Sequence, residues 1–500
     1  MSRTFIKFNQ VSFAYNSMSA DLFSDITFHL DEGWTGVIGP NGSGKTTLLM
    51  LAAGLLLPDR GNIDKPVRIV YCEQRTDNPP AELNELLSDN SKHAAVIIDK
   101  LNLSYEYLER WVTLSHGERK RAQIGTALYL EPDLLAVDEP TNHLDFEAKE
   151  IIMNALKSFR GVGMLVSHDR ELVDELCRQC IFIESPKIVI RPGGVSEGLE
   201  QERKENESLL KLHEQKSDAY NKLMKEYERR NKIAESSKKR VSKKNIDPKD
   251  RNAKAKIDLA RVTGKDAVGG KLKRQMEGRL EFAKKDIENI HVKREYELGI
   301  WLPGSVSQRN YLLNIPGQEI EIGGNKKLFT PDLLINPTDR IGLTGKNGSG
   351  KSTLIKKLLN DLNTEKEHVT YIPQEIGVDD SSRIVKDLHK LSNEKLGQLM
   401  IIISRLGSDP KRVLETEIPS PGEIRKILLA LGMLKMPHII IMDEPTNHMD
   451  LASINCLEKA LTECPCAVLL VSHDKRFLSA IIKTEWHISE KNKDEFILNA

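Results

Sequence analysis

The chain has 500 residues, room for two to four domains at roughly 100–200 residues each, and its 39% apolar residues are enough to build their cores. Lysine plus arginine and aspartate plus glutamate both number 73, so a uniformly basic or acidic protein is excluded. No apolar run approaches the ~20 residues that span a bilayer, and the opening MSRTFIKFNQ lacks a basic-then-apolar leader, so the expected location is cytoplasmic, with no membrane partner.

In chain order, an apolar strand at Gly36–Ile38 runs into Gly39-Pro-Asn41-Gly42-Ser-Gly44-Lys45-Thr46-Thr47 and a helix predicted over Lys45–Leu57. Glycines there let backbone N–H groups wrap phosphates, and the helix N-terminus adds a favourable dipole. Lys45 is placed to neutralise the β- and γ-phosphates of ATP, and the Thr46 hydroxyl to hold Mg²⁺. A strand at Ile69–Cys72 precedes Gln74, and Leu114-Ser115-His-Gly117-Glu118 opens a helix predicted over Glu118–Tyr129. The strand Leu134–Val137 ends in Asp138-Glu139. Asp138 is the expected Mg²⁺ partner, and Glu139 the general base or polariser of the attacking water. Met164–Val166 leads to Ser-His168-Asp169, and His168 is expected at the γ-phosphate rather than as an ordinary core histidine. Cys177 and Cys180 form a CxxC with no second pair at zinc spacing, so reduced thiols are expected.

Residues 194–300 change character. Leu272, Met276, Leu280, Ala283, Ile287 and Ile290 make a coiled-coil seam, and Leu209, Leu212, Tyr220, Leu223 and Tyr227 a weaker one. Pro248, Gly264, Gly269 and Gly270 break the stretch between them, which predicts an antiparallel helical hairpin with an elaborated tip. From Arg230 to Arg279 there are 17 Lys and Arg against 6 Asp and Glu, a local +11 hidden in the neutral total. Such a patch suits phosphate, so Lys238, Lys239, Arg240, Lys243 and Lys244 are candidate RNA contacts.

The remainder repeats the beginning. Gly345-Lys-Asn347-Gly348-Ser-Gly350-Lys351-Ser352-Thr353, Ser420 and Gly422, Asp443-Glu444 and His473 return the motifs at an offset of 305–306 residues, and Gln374, after the strand Val369–Ile372, returns Gln74 at 300. Chance matches would not keep phase. The class is therefore α/β, with P-loop cassettes at 1–193 and 301–500 joined by the hairpin at 194–300.

Leu114–Glu118 matches the LSxGE signature of ABC ATPases, with Pro419–Glu423 as its second copy. The tandem cassettes, the linker of about 100 residues and the Thr-Asn-His-Leu/Met-Asp string after both glutamates make the chain resemble the ABC-F group. The resemblance implies cassettes that close head to tail within a monomer. One ATP would then lie among Lys45, Gln74, Glu139, His168, Ser420 and Gly422, and the other among Lys351, Gln374, Glu444, His473, Ser115 and Gly117. Gln74 and Gln374 would be Q-loop residues touching Mg²⁺, and Tyr15 the aromatic that stacks on adenine. No aromatic lies between Tyr311 and Phe329, so the second cassette is expected to lack that stack. The implied function is an ATPase bound at the ribosomal E-site. Its linker tip would reach the P-site tRNA and 23S rRNA at the peptidyl transferase centre, to modulate translation or protect the ribosome from antibiotics. The alternatives are an ATP-binding subunit that energises a separate membrane transporter, and a DNA-binding protein.

Overall fold

The computed structural model describes all residues except 1–3, 17–19, 143, 241–264, 291–303, 324–325, 389, 407, 409, 411–418, 448 and 493. The chain divides into two compact units, Met1–Gly198 with Tyr296–Ala500, and Leu199–Glu295.

The first unit holds both cassettes. In the first, a six-stranded sheet runs in the order Ile69–Cys72, Leu134–Asp138, Val162–Val166, Gly33–Ile38, Cys177–Glu184, Lys187–Pro192, all parallel except the last strand. Every residue of Leu134–Asp138 and of Val162–Val166 is buried, because helices cover both sheet faces. A separate antiparallel sheet, Phe23–Asp31 with Phe5–Phe13 and Arg60–Asp64, packs Phe8, Phe13, Phe23 and Phe28 into the same core. The second cassette builds an eight-stranded sheet with the same central order, Val369–Ile372, Ile439–Asp443, Ala467–Val471, Arg340–Gly345, Thr484–Asn492. Each buried Leu, Ile or Val of these strands contributes roughly 1.5–3 kcal/mol. The strand ends that carry the motifs are thereby held rigidly at the carboxyl edge of each sheet.

Element ends differ from the pattern in instructive ways. The helix expected to reach Leu57 stops at Ala53, because Gly54 takes a left-handed conformation (φ 79°) and returns its N–H to Leu51 O. The strands at the motifs begin earlier than expected, at Gly33 and Val162.

In the second unit, the helices Val195–Arg240 and Lys265–Glu288 pair antiparallel. Lys216 Nζ meets Asp286 at 2.8 Å, and the Tyr227 hydroxyl donates to Glu277 at 3.0 Å, so positions rise on one helix as they fall on the other. Met276 is buried and Leu280, Ala283, Ile287 and Ile290 half-buried, as the seam requires. The weaker seam holds at Tyr220, Leu223 and Tyr227, which are half-buried, and is corrected at its start: Leu209 and Leu212 are 38% and 42% exposed, and the inward face at that level carries His213, Lys216 and Ser217. The second helix runs through Gly269 and Gly270, since two glycines cost only about 1 kcal/mol each against alanine. Lys243 and Lys244 lie outside the described residues; so do the side chains of Lys238, Lys239 and Arg240, whose backbone completes the first helix.

Candidate functional site

Each P-loop turns between a central strand and a helix. Gly44 and Gly350 cap those helices at φ 98° and 97°, a conformation that any side chain would strain. The Lys45 ammonium donates to Gly39 O and Pro40 O at 2.9 and 3.1 Å, and Lys351 to Gly345 O and Lys346 O at 2.7 and 3.0 Å. Burial lowers both lysine pKa values, and neighbouring carboxylates offset this in part. Both ammonium groups thus sit inside the loop, where a triphosphate would take over the carbonyl contacts.

The Thr46 hydroxyl donates to Asp138 Oδ2 at 2.7 Å, and Ser352 to Asp443 Oδ2 at 2.9 Å. These hard oxygen donors suit Mg²⁺, which takes one or two protein ligands and completes its shell with phosphate and water. Thr46, Asp138 and Gln74 in one cassette, and Ser352, Asp443 and Gln374 in the other, are the residues that could hold it.

Glu139 and Glu444 adopt left-handed backbone (φ 46° and 49°), a conformation that costs a non-glycine residue about 1–2 kcal/mol. Each is held there by its own N–H, which bonds to the adjacent strand at Val166 O or Val471 O, both 2.8 Å. Glu139 Oε2 accepts the His168 N–H at 3.3 Å, and Oε1 stays buried without a hydrogen-bond donor. Glu444 repeats this with the His473 N–H at 3.4 Å and an unpartnered Oε1. An orphaned carboxylate oxygen in a polar cavity is the feature an incoming water would satisfy. Burial pushes the Glu139 carboxyl up to about 7 and raises Glu444 likewise. It also drives both His168 and His473 down to about 3, so their rings are neutral; Nε2 lies 3.3 Å from Glu139 Oε1 in one and 3.5 Å from Glu444 Oε1 in the other.

The raised Glu139 pKa has a stability consequence in the ATP-free chain. The folded carboxyl keeps its proton between pH 4.5 and about 7, where the unfolded one has lost it. Stability is therefore full below pH 4.5 and falls as pH rises through 7, by about 3 kcal/mol in all. Glu139→Gln should raise the melting temperature at pH 8, and the gain should vanish by pH 5 in a thermal scan.

The signature serines cap their helices. Ser115 and Ser420 each accept the N–H of Glu118 or Glu423 at 3.3 Å, while that glutamate accepts the serine N–H at 2.8 Å. The prolines of the second copy leave the cap intact. Pro421 occupies the first helical position, where its missing N–H costs nothing, and the Ser420 backbone matches that of Ser115 within a few degrees.

The cassettes bring these parts together unequally. A cavity of about 420 Å³ is lined by Tyr15, Asn41, Gly42, Gly44, Lys45, Thr46, Thr47, Gln74, Asp138, Glu139 and His168 of the first cassette together with Ser420 and Gly422 of the second. The second cavity, about 210 Å³, is lined by Asn347, Gly348, Gly350, Lys351, Ser352, Thr353, Gln374, Asp443 and Glu444, and Ser115 and Gly117 are not among its lining residues. Thr141, Leu144 and Lys149 of the first cassette close on Gln374, Glu444 and His473 there instead. Gly39 and Gly345 form the start of each loop; His473 Nε2 lies 3.2 Å from Asn347 Oδ1.

Tyr15 borders the first cavity, its hydroxyl 3.0 Å from Thr47 Oγ1. Ile322 takes the corresponding edge of the second cavity, which no aromatic lines among the described residues. The reason is connection length. The strands Phe5–Phe13 and Phe23–Asp31 are joined by nine residues, 14–22, enough to carry a tyrosine, whereas Gln318–Glu321 and Lys327–Thr330 are joined by only five, 322–326.

A family model described as ABC transporter matches residues 23–142 and again 328–447. The chain is 28% identical over 97% of its length to the ATP-binding protein Uup of Buchnera aphidicola, covering 80% of that protein. It is 26% identical over 95% of its length to the ribosome protection protein VmlR of Bacillus subtilis (85% of that protein), and 26% over 95% to ABC transporter F family member 4 of Arabidopsis thaliana (72%). The chain carries two ABC cassettes in tandem, as its F-type relatives do. A solved archaeal structure, ribosome recycling factor aABCE1 in complex with stalk protein aP1, shares the fold with a TM-score of 0.63 over 98% of this chain and 89% of that one, at 19% identity.

Several residues of this tandem-cassette ABC chain escape motif reading. Asp145 and Asp450, which end the repeated strings, cap the next helix with one oxygen, and with the other accept the N–H of Asn347 or Asn41 in the opposite P-loop, at 3.3 and 3.1 Å. Lys120 pins the first Q-loop through Glu73 O and Gln74 O at 2.8 and 3.2 Å, and Arg425, 305 positions on, bonds to Gln374 O. The shared basic character of 120 and 425 was the signal available in the repeat.

Proposed function

We propose that the chain hydrolyses ATP with Mg²⁺ at sites shared between its cassettes, and uses the cycle to bind and leave the ribosome. The observation that carries the ATPase reading is the first cavity, where Lys45, Glu139 and His168 of one cassette meet Ser420 and Gly422 of the other. A site split this way is complete only when the cassettes are closed, so ATP favours closure and its hydrolysis favours opening. Glu139 and Glu444 would polarise the water, the lysines and signature groups would stabilise phosphate charge, and His168 and His473 would contact the γ-phosphate.

Ribosome binding is supported by the +11 segment between Arg230 and Arg279 and by the near full-length similarity to a protein named for ribosome protection. We assign the hairpin tip to 23S rRNA and the P-site tRNA from the E-site, the chain acting as a cytoplasmic monomer that modulates translation by protecting the ribosome from bound antibiotics. Among the described residues no helix is long and apolar enough to cross a membrane. Sedimentation of the purified chain with ribosomes, with membrane vesicles and with DNA tests the reading. Co-pelleting with ribosomes in the presence of a non-hydrolysable ATP analogue is expected, and pelleting with membranes alone would replace it with the transporter-subunit reading. Expression in a drug-sensitive host should raise the inhibitory concentration of at least one drug that binds the peptidyl transferase centre.

A further inference from the structure

The helix Phe146–Leu156 of the first cassette starts at Asp145, which holds the second P-loop through the Asn347 N–H. One turn into it lies Lys149. Its side chain is 21% exposed, and its ammonium pairs with Asp169 Oδ2 at 2.9 Å. Asp169 follows His168 and uses its other oxygen to cap the helix Arg170–Leu176. Lys149 also borders a small space walled on the far side of the interface by Asn347, Gln374, Glu444, His473 and Asp474. The charged groups facing it are therefore Asp169 on one side of the interface and Glu444 and Asp474 on the other, and together they keep it protonated despite burial.

The repeat supplies a control. The position 305 residues on is Ile454, which is 2% exposed in an apolar core. The first site therefore receives no lysine from across the interface at this position. Asp474, the counterpart of Asp169, spends Oδ1 on the Phe477 N–H at the start of its helix. One ammonium thus faces both turns that carry the histidines.

We propose that Lys149 is a positioning residue acting across the cassette interface: by bridging Asp169 and the Glu444–His473–Asp474 cluster, it couples the two ATP sites and holds the hydrolytic groups of the second in place. A charge buried at an interface is stabilised only while its partners stay close. Closure at the second site therefore pulls on the turn that carries His168 in the first. The proposal rests on the ATPase reading above.

The test is phosphate release by the full chain across ATP concentrations, in E139Q and E444Q backgrounds that leave only the second or only the first glutamate. In E139Q, Lys149→Met should lower kcat about tenfold with KM changed less than about twofold, because Lys149 orients groups without touching nucleotide. Lys149→Arg should recover most of that loss, and Lys157→Met, on an exposed lysine just past the same helix, should cost nothing. A Lys149→Met kcat within twofold of its E139Q parent, an equal loss in the E444Q background, or an arginine variant as slow as the methionine one would overturn the role. A parent chain that releases no phosphate at all sinks the ATPase reading itself, which is a different result from a parent that turns over and is matched by Lys149→Met.

Discussion

Glu139→Gln combined with Glu444→Gln should abolish multiple-turnover ATP hydrolysis while leaving the chain able to bind ATP and stay on ribosomes. The argument starts from the orphaned Oε1 atoms. In each cassette one carboxylate oxygen is spent on a histidine N–H and the other is buried without a partner, beside a neutral imidazole. Burial that raises the carboxyl pKa brings it near neutrality, where a general base is most effective. Glutamine keeps the shape and the contact to the histidine N–H but cannot accept a proton, so turnover should fall roughly 10²–10⁴-fold. The phosphate-binding groups, Lys45, Lys351, Thr46 and Ser352, are untouched, so ATP should keep the cassettes closed. Phosphate release measures the first effect; co-sedimentation with ribosomes in ATP, and arrest of translation when the variant is expressed, measure the second. Retained turnover would show that water is activated elsewhere, and a double variant that leaves ribosomes freely in ATP would break the link between closure and binding.

What the sequence disclosed and what it hid divide along a physical line. The P-loops, the Asp-Glu strand ends and the histidines are set by a few adjacent residues, so pattern and phase were enough to find them. The hairpin was legible because a seam is periodic along one helix. Lys149 was not legible: its role depends on Asp169 and Asp474, one from each cassette, and no local pattern joins them. The unequal cavities were hidden for the same reason, since Ser420 and Gly422 line one site whereas Ser115 and Gly117 do not line the other. The absent aromatic was visible in the sequence. Its cause, nine residues (14–22) between the paired strands of one cassette against five (322–326) in the other, needed the strand boundaries. The cap at Ser420 survives its neighbouring prolines because a proline at the first helical position lacks only an N–H that the helix does not use there.

Replacing Lys238, Lys239, Arg240, Lys243 and Lys244 together by glutamine should weaken ribosome binding and flatten its salt dependence. Each lysine or arginine that neutralises a phosphate releases counterions and adds about 0.7–0.9 to the slope of log K against log salt. Five lost contacts therefore take roughly 4 from that slope, and cost on the order of 10²-fold in affinity at low salt. The gap should narrow as salt rises, because the parent loses affinity faster than the variant. Basal ATP turnover without ribosomes should change little, as the phosphate-binding and water-polarising groups belong to the cassettes. This pattern separates the hairpin tip from the cassettes as the source of RNA affinity. A general fold defect would lower turnover as well, and a tip that merely solvates its charge would leave the slope where it was. A titration of fluorescently labelled ribosomes at 50, 100 and 200 mM salt distinguishes the three, and an unchanged slope removes the tip from the RNA interface.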